Sequence, residues 1–162
     1  MKKSSTIFLQ VVIVLISIVA LAILIRFPLT EGRAAHLDLF HIYADPFIIY
    51  GYISSIAFFV ALYQAFKLLG YIGQNKVFSL SSVKALRTIK QCAIVLGILI
   101  VLAGLYIRIV HTGGDEADDP AGFLAMCMVT TFISIVIATA AAVFERILQK
   151  AVDIKSENDL VV

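Results

Sequence analysis

The chain has 162 residues, 61% of them apolar, a formal net charge of +2 and a mean hydropathy of +1.01. A soluble domain carries roughly 45–50% apolar residues; here the excess is gathered into blocks, which excludes an ordinary soluble fold and indicates a membrane protein. So small a net charge gives no global field for nucleic acid, and three prolines without a low-complexity run exclude a disordered chain.

Met1 to Thr6 is short, basic and polar, and Ile7 to Ile25 follows with only Gln10 and Ser17 clearly polar. A basic head before an apolar core also describes a signal peptide. The apolar run is longer than such a core, however, and Arg26-Phe27-Pro28 follows it in place of a small-x-small cleavage site. The expectation is an uncleaved first span over about residues 7–27, ended by Pro28. Pro28 to Asp45 is then a first loop on the outer side. Within it Ala34 to Tyr43 suits a short interfacial helix, on which Asp38, His41 and Asp45 would share one face.

Asp45-Pro46 is an N-cap followed by proline at the first helical position, and it opens a second span over about 46–69. Ala57, Ala61 and Ala65 form a small-residue ridge on it, and Tyr50, Tyr52, Tyr63 and Tyr71 mark its ends. Gly70 and Gly73 are expected to break the helix, with Gln74-Asn75-Lys76 as a turn. Ser79 then caps a basic amphipathic helix that runs into a third span over about 90–110, with Ala93, Gly97 and Gly104 as packing positions. An acidic turn, His111 to Pro120, leads to a fourth span over about 121–146. Ser134, Ala138 and Ala142 recur on it every four residues. The helix is expected to persist through Lys150, and 147–162 is a polar tail until its last three residues. With so little chain outside the spans, one membrane domain of residues 1–162 is expected. Cys92 and Cys127 would lie about 15–20 Å apart along the bilayer normal, too far for a disulfide.

The basic residues orient these spans. Lys2 and Lys3, then Lys67, Lys76, Lys84, Arg87 and Lys90, then Arg146, Lys150 and Lys155 fall on one side; only Arg26, Arg33 and Arg108 fall on the other. The positive-inside rule places the first set, and both termini, in the cytoplasm. The fold class expected is an all-α integral membrane four-helix bundle with both termini cytoplasmic.

Three places could carry chemistry. On the outer side, His36, Asp38, His41 and His111, beside Asp115, Glu116, Asp118 and Asp119, offer imidazole and carboxylate for a divalent metal ion. No HExxH-type spacing accompanies them, and a solvated polar loop is the competing reading. A transport pathway requires ionisable groups at bilayer depth, and the span cores have none. Ser54, Ser55, Thr130 and Ser134 lack a histidine at that depth to activate them, so no catalytic residue is assigned and hydroxyl bonding back to the helix is expected. On the cytoplasmic side Lys84, Arg87 and Lys90 recur every three residues. This face suits either anionic lipid or a cytoplasmic protein, the latter together with Asp153, Lys155 and Glu157 of the tail.

The run Phe58 to Leu69, then Asn75 to Ser79 and Ser82 to Lys90, and the ending Asp153 to Leu160, resemble the bacterial YoaS-like membrane family, domain of unknown function 2975. The resemblance covers nearly the whole chain and is strongest in the middle stretch and the tail. It implies four spans and no established activity, and it supplies no catalytic residues to carry over. Members of that family often neighbour a helix-turn-helix regulator, which implies, by analogy, a partner of a transcription factor in the bacterial cytoplasmic membrane; this chain itself is not expected to contact nucleic acid directly. The functional expectation is therefore a non-enzymatic, cofactor-free membrane partner or regulator of a cytoplasmic protein, in a bilayer, with the alanine ridges open to internal packing or to a homo-oligomer. The alternative is a metal or small-ligand sensor at the outer face, and, behind it, a small transporter.

Overall fold

A computed structural model describes residues 3–30, 46–111 and 121–160. They form four helices: α1 (Lys3–Thr30), α2 (Pro46–Gly73), α3 (Leu80–His111) and α4 (Ala121–Leu160). At about 1.5 Å per residue each is at least about 42 Å long, more than the ~30 Å hydrocarbon core of a bilayer. All four are apolar enough to cross one. Large apolar side chains lie exposed along them, Phe8, Ile98 and Phe132 among others at more than half of their area, a surface that water would not tolerate and lipid would cover. The first-loop helix over Ala34 to Tyr43, the Asp45 cap and the acidic loop lie outside the described residues.

The chain divides into two compact units with the boundary between Val77 and Phe78. The first is the α1–α2 hairpin. Helix α1 does not stop before Pro28 but runs on to Thr30. Proline has no N–H, so the carbonyl four residues back, that of Leu24, loses its helical donor. The Tyr52 hydroxyl of α2 donates to that carbonyl at 3.2 Å, which removes the main cost of a proline inside a membrane helix. At the other end Gln10 Nε2 donates to the Phe66 carbonyl at 3.3 Å. Thr6, 3% exposed, sits against Gly73, where an added Cβ would come within 3.1 Å of the threonine methyl.

Helix α2 begins at Pro46, as the Asp-Pro pair predicts, but runs through Gly70 and does not end until Gly73. What stops it is Asn75, the one non-glycine residue with positive φ (56°) among those described. Lys76 N–H donates to Tyr71 O at 2.8 Å and Asn75 N–H to Ile72 O at 3.1 Å. This is the paired 6→1 and 5→2 closure of a Schellman motif, with asparagine in the position that usually takes glycine. The glycines themselves have ordinary helical backbone, so they do not end the helix.

The second unit is the α3–α4 hairpin. Ser79 is the N-cap of α3: its Oγ accepts from Ser82 N–H at 3.3 Å, and its carbonyl accepts from Ser82 and Val83 N–H. Helix α3 then passes without a break from its charged first turns into its apolar part. The register of the hairpin follows from its glycines. Gly104 faces Cys127, and Gly97 faces Ser134, with added Cβ atoms at 3.6 and 3.5 Å. Each helix advances seven residues between these two contacts. The same step next sets Lys90 opposite Ala141, and Val83 opposite Leu148; Ala141, Val83 and Leu148 are all buried. Burial along α4 recurs at 138, 141, 145 and 148, and along α3 at 83, 86, 90, 93, 97 and 104, where positions are buried or half-buried. These are the alternating three- and four-residue steps of antiparallel left-handed packing.

Hydroxyls within the helices bond back to their own backbone, as expected: Ser17 to Ile13 O, Ser54 to Tyr50 O, Thr130 to Met126 O and Thr139 to Ile135 O, at 2.7–2.9 Å. Both cysteines are free thiols; Cys92 lies twelve residues along α3 from the Gly104 turn that meets Cys127, about 18 Å away.

Candidate functional site at the charged end of the second hairpin

The register that buries small residues along most of the hairpin brings charged groups together near one end. Position 145 of α4 belongs to the buried seam, yet it is glutamate, 8% exposed. Position 90 of α3 belongs to the facing seam and is lysine. The two conflicts cancel: Lys90 Nζ lies 2.6 Å from Glu145 Oε2, and Arg87 Nε lies 2.8 Å from Oε1. Both carboxylate oxygens are used, each in a charge-assisted hydrogen bond. The Lys90 side chain is 29% exposed and Arg87 55%, while Glu145 is 10%. The acid is therefore the enclosed member, and the cations extend from it towards the surface. One turn further along α4, Arg146, Gln149 and Lys150 join Arg87, Lys90 and Glu145 in lining a cavity of about 460 Å³. Four cations and one carboxylate make it a basic cradle.

Beyond the cradle α4 outlasts its partner. The tail expected after Lys150 is instead continuous helix to Leu160. Since Val83 faces Leu148 and α3 begins at Leu80, the last turns of α4 have no facing turn of α3. Asp153 to Asn158 are all exposed, Ile154 at 63% and, seven residues earlier, Ile147 at 56%. Gln149 Nε2 donates to Asp153 Oδ1 at 2.9 Å and Ser156 Oγ to the Asp153 carbonyl at 2.8 Å, local bonds that stiffen the projecting helix.

The residues singled out from the sequence divide accordingly. Lys84 is exposed on α3 and outside the ion pairs, whereas Lys90 and the still exposed Arg87 are engaged by Glu145 of α4, so the three do not form one free face. Asp153, Lys155 and Glu157 lie exposed on the α4 projection. His36, Asp38 and His41 lie outside the described residues, and His111 is the last residue of α3. Among the described residues no three histidine, cysteine, aspartate or glutamate side chains gather as a metal site. Glu145 was not among the residues the sequence singled out. The signal was present in the two heptad phases, each broken once, by charges of opposite sign.

Four membrane-length helices in two hairpins, with charge concentrated at a hairpin end, define a multi-pass membrane protein. The chain belongs to the family described as Protein of unknown function (DUF2975), whose model matches residues 5–162. It is 44% identical over 164 aligned residues, covering the whole of both chains, to the protein named "Uncharacterized membrane protein YoaS" of Bacillus subtilis (strain 168). No solved structure matches the chain.

Proposed function

We propose that this is a non-enzymatic membrane protein that docks a cytoplasmic protein on the projecting end of α4, with both termini and the Arg87 end of the second hairpin in the cytoplasm. The lysine and arginine distribution supports that orientation. The observation that carries the reading is the α4 projection: a rigid helix held at its base by the Glu145 ion pairs and exposed from Asp153 to Asn158. Ile147 and Ile154 repeat at seven residues, flanked by Lys150, Asp153, Lys155 and Glu157. That places two apolar anchors at i and i+7 on one exposed stripe, which a partner helix or groove can cover. The resemblance to a family whose members neighbour helix-turn-helix regulators supports such a regulator as the partner.

The test is co-purification of the full chain in mild detergent with a helix-turn-helix regulator of the kind that neighbours members of the family. Wild type is compared with the Ile154→Glu, Lys155→Glu double variant and with Lys84→Glu. The double variant should lose the regulator by roughly tenfold or more, the scale of one buried anchor at an interface, and Lys84→Glu should retain it. Equal recovery with all three would refute the reading.

A further inference from the structure

The second hairpin carries an apolar groove that ends in the basic cradle. The groove, about 640 Å³, runs between α3 and α4 with Ile94, Ile98 and Val101 on one wall and Ile135 and Thr139 on the other. Its floor is low because Gly97, Ser134 and Ala138 contribute almost no side-chain bulk. The Thr139 hydroxyl is tied to the Ile135 carbonyl at 2.8 Å, which leaves an apolar wall. Lys90 and Ala142 line both the groove and the cradle, so the two cavities are continuous.

We propose that this composite site holds one anionic phospholipid, its phosphate in the cradle of Arg87, Lys90, Arg146 and Lys150 and one acyl chain along the groove. Three features select that occupant. Glu145 neutralises only part of the cradle; it is engaged by Arg87 Nε and Lys90 Nζ, and among the described residues Arg146 and Lys150 form no ion pair. The cradle thus keeps an excess of positive charge for a phosphate, and its position beside a membrane-level groove matches where a headgroup lies. The groove lines α3 from Lys90 to Leu102, twelve residues or about 18 Å, close to one leaflet of a ~30 Å hydrocarbon core. Finally, a second copy of this hairpin would share the membrane orientation and bring four like cations to the same level, which disfavours a second copy in the groove.

Native mass spectrometry of the full chain in detergent tests this, titrating dioleoyl phosphatidylglycerol against dioleoyl phosphatidylcholine. Three proteins are compared: wild type, the Arg146→Gln, Lys150→Gln double variant, and Thr139→Leu, which fills the groove from an exposed position without touching the buried seam. Wild type should retain one phosphatidylglycerol at least about tenfold better than phosphatidylcholine. The charge variant should lose that preference while keeping weak binding of both lipids, and Thr139→Leu should weaken both. Equal retention of the two lipids by wild type would overturn the proposal, as would displacement of phosphatidylglycerol by millimolar inorganic phosphate, which would make the site a phosphate site without a chain. A dimer that excludes lipid would overturn it in favour of a second copy. Should the charge variant fail to fold, the wild-type comparison and the phosphate competition still decide. Loss of the regulator with Ile154→Glu and Lys155→Glu is independent of all these outcomes.

Discussion

Replacing Glu145 by alanine should destabilise the α3–α4 hairpin by about 2–3 kcal/mol. The carboxylate accepts from Lys90 Nζ at 2.6 Å and from Arg87 Nε at 2.8 Å, and it is itself only 10% exposed. A hydrogen bond to a charged partner is worth roughly 1.5–3 kcal/mol. Lys90, at 29% exposure, falls within that range, whereas Arg87, at 55%, is closer to an exposed ion pair at about 0–1 kcal/mol. The seam position adds a second cost: with the acid gone, Lys90 remains in the seam opposite Ala141 beside three other cations and no counter-charge. Reversible unfolding of the purified chain in mixed micelles, followed by far-UV circular dichroism as the denaturing detergent fraction rises, reads the change. The cycle of Glu145→Ala, Lys90→Ala and the double variant isolates the pair, and a coupling of at least about 1 kcal/mol is expected. The swap Glu145→Lys with Lys90→Glu should recover part of the loss. A coupling below about 0.3 kcal/mol would refute the argument that the ion pair, rather than the apolar seam on either side of it, fixes the base of the α4 projection.

Two further outcomes follow from the first hairpin. Tyr52→Phe should cost about 1 kcal/mol, since it leaves the Leu24 carbonyl without a donor, but close to nothing in a Pro28→Ala background, where the backbone N–H restored at that position supplies the missing helical bond; equal costs in both backgrounds in the same micelle assay would show that the tyrosine acts elsewhere. Asn75→Gly should be neutral or slightly stabilising and Asn75→Val should cost about 1–2 kcal/mol, because a β-branched residue resists the left-handed conformation that closes α2; thermal melting of the two variants measures the difference.

The helices were legible because membrane spans are written in composition over some twenty residues, a signal no local detail can hide. Their ends were harder to place, for reasons specific to each. Pro28 is a helix breaker by its chemistry, and only a tyrosine on the next helix, Tyr52, cancels that. Gly70 and Gly73 are poor helix formers, but in an apolar helix the alternative to the i→i−4 bond is an unpaired peptide group, so the helix persists until a residue with a side-chain-tolerated positive φ closes it. The polar composition of 151–160 suggested an arm, but its Asp, Lys, Ser and Glu are spaced to form local bonds along a helix that is already nucleated. The basic face was legible as charge but not as geometry. Spacing by three groups Lys84, Arg87 and Lys90, and only the facing helix decides which two of them pair with its glutamate.

The facing helix also shows where the packing chemistry of the hairpin changes. From Gly104 to Ala93 on α3, and from Cys127 to Ala141 on α4, the seam is mostly small, with Gly104, Gly97 and Ala93 on one helix and Cys127, Ser134, Ala138 and Ala141 on the other. In lipid, burying a large apolar side chain gains little over leaving it against acyl chains, and close backbone approach is what binds helices. At Leu86 and Val83, and at Leu148, the same seam turns to large aliphatic residues, 7%, 2% and 9% exposed. That choice stabilises only where the alternative is water, at about 1.5–3 kcal/mol for each side chain fully buried. Lys90, Arg87 and Glu145 sit at the changeover, where a charged trio can be shielded from solvent on one side and from hydrocarbon on the other. The second hairpin is thus one continuous seam with two packing chemistries, and the cradle marks the boundary between them. The cation cluster thus lies between the apolar groove on one side and the projecting end of α4 on the other. The same ion pairs therefore support both the proposed lipid site and the proposed docking helix, without either depending on the other's residues for contact.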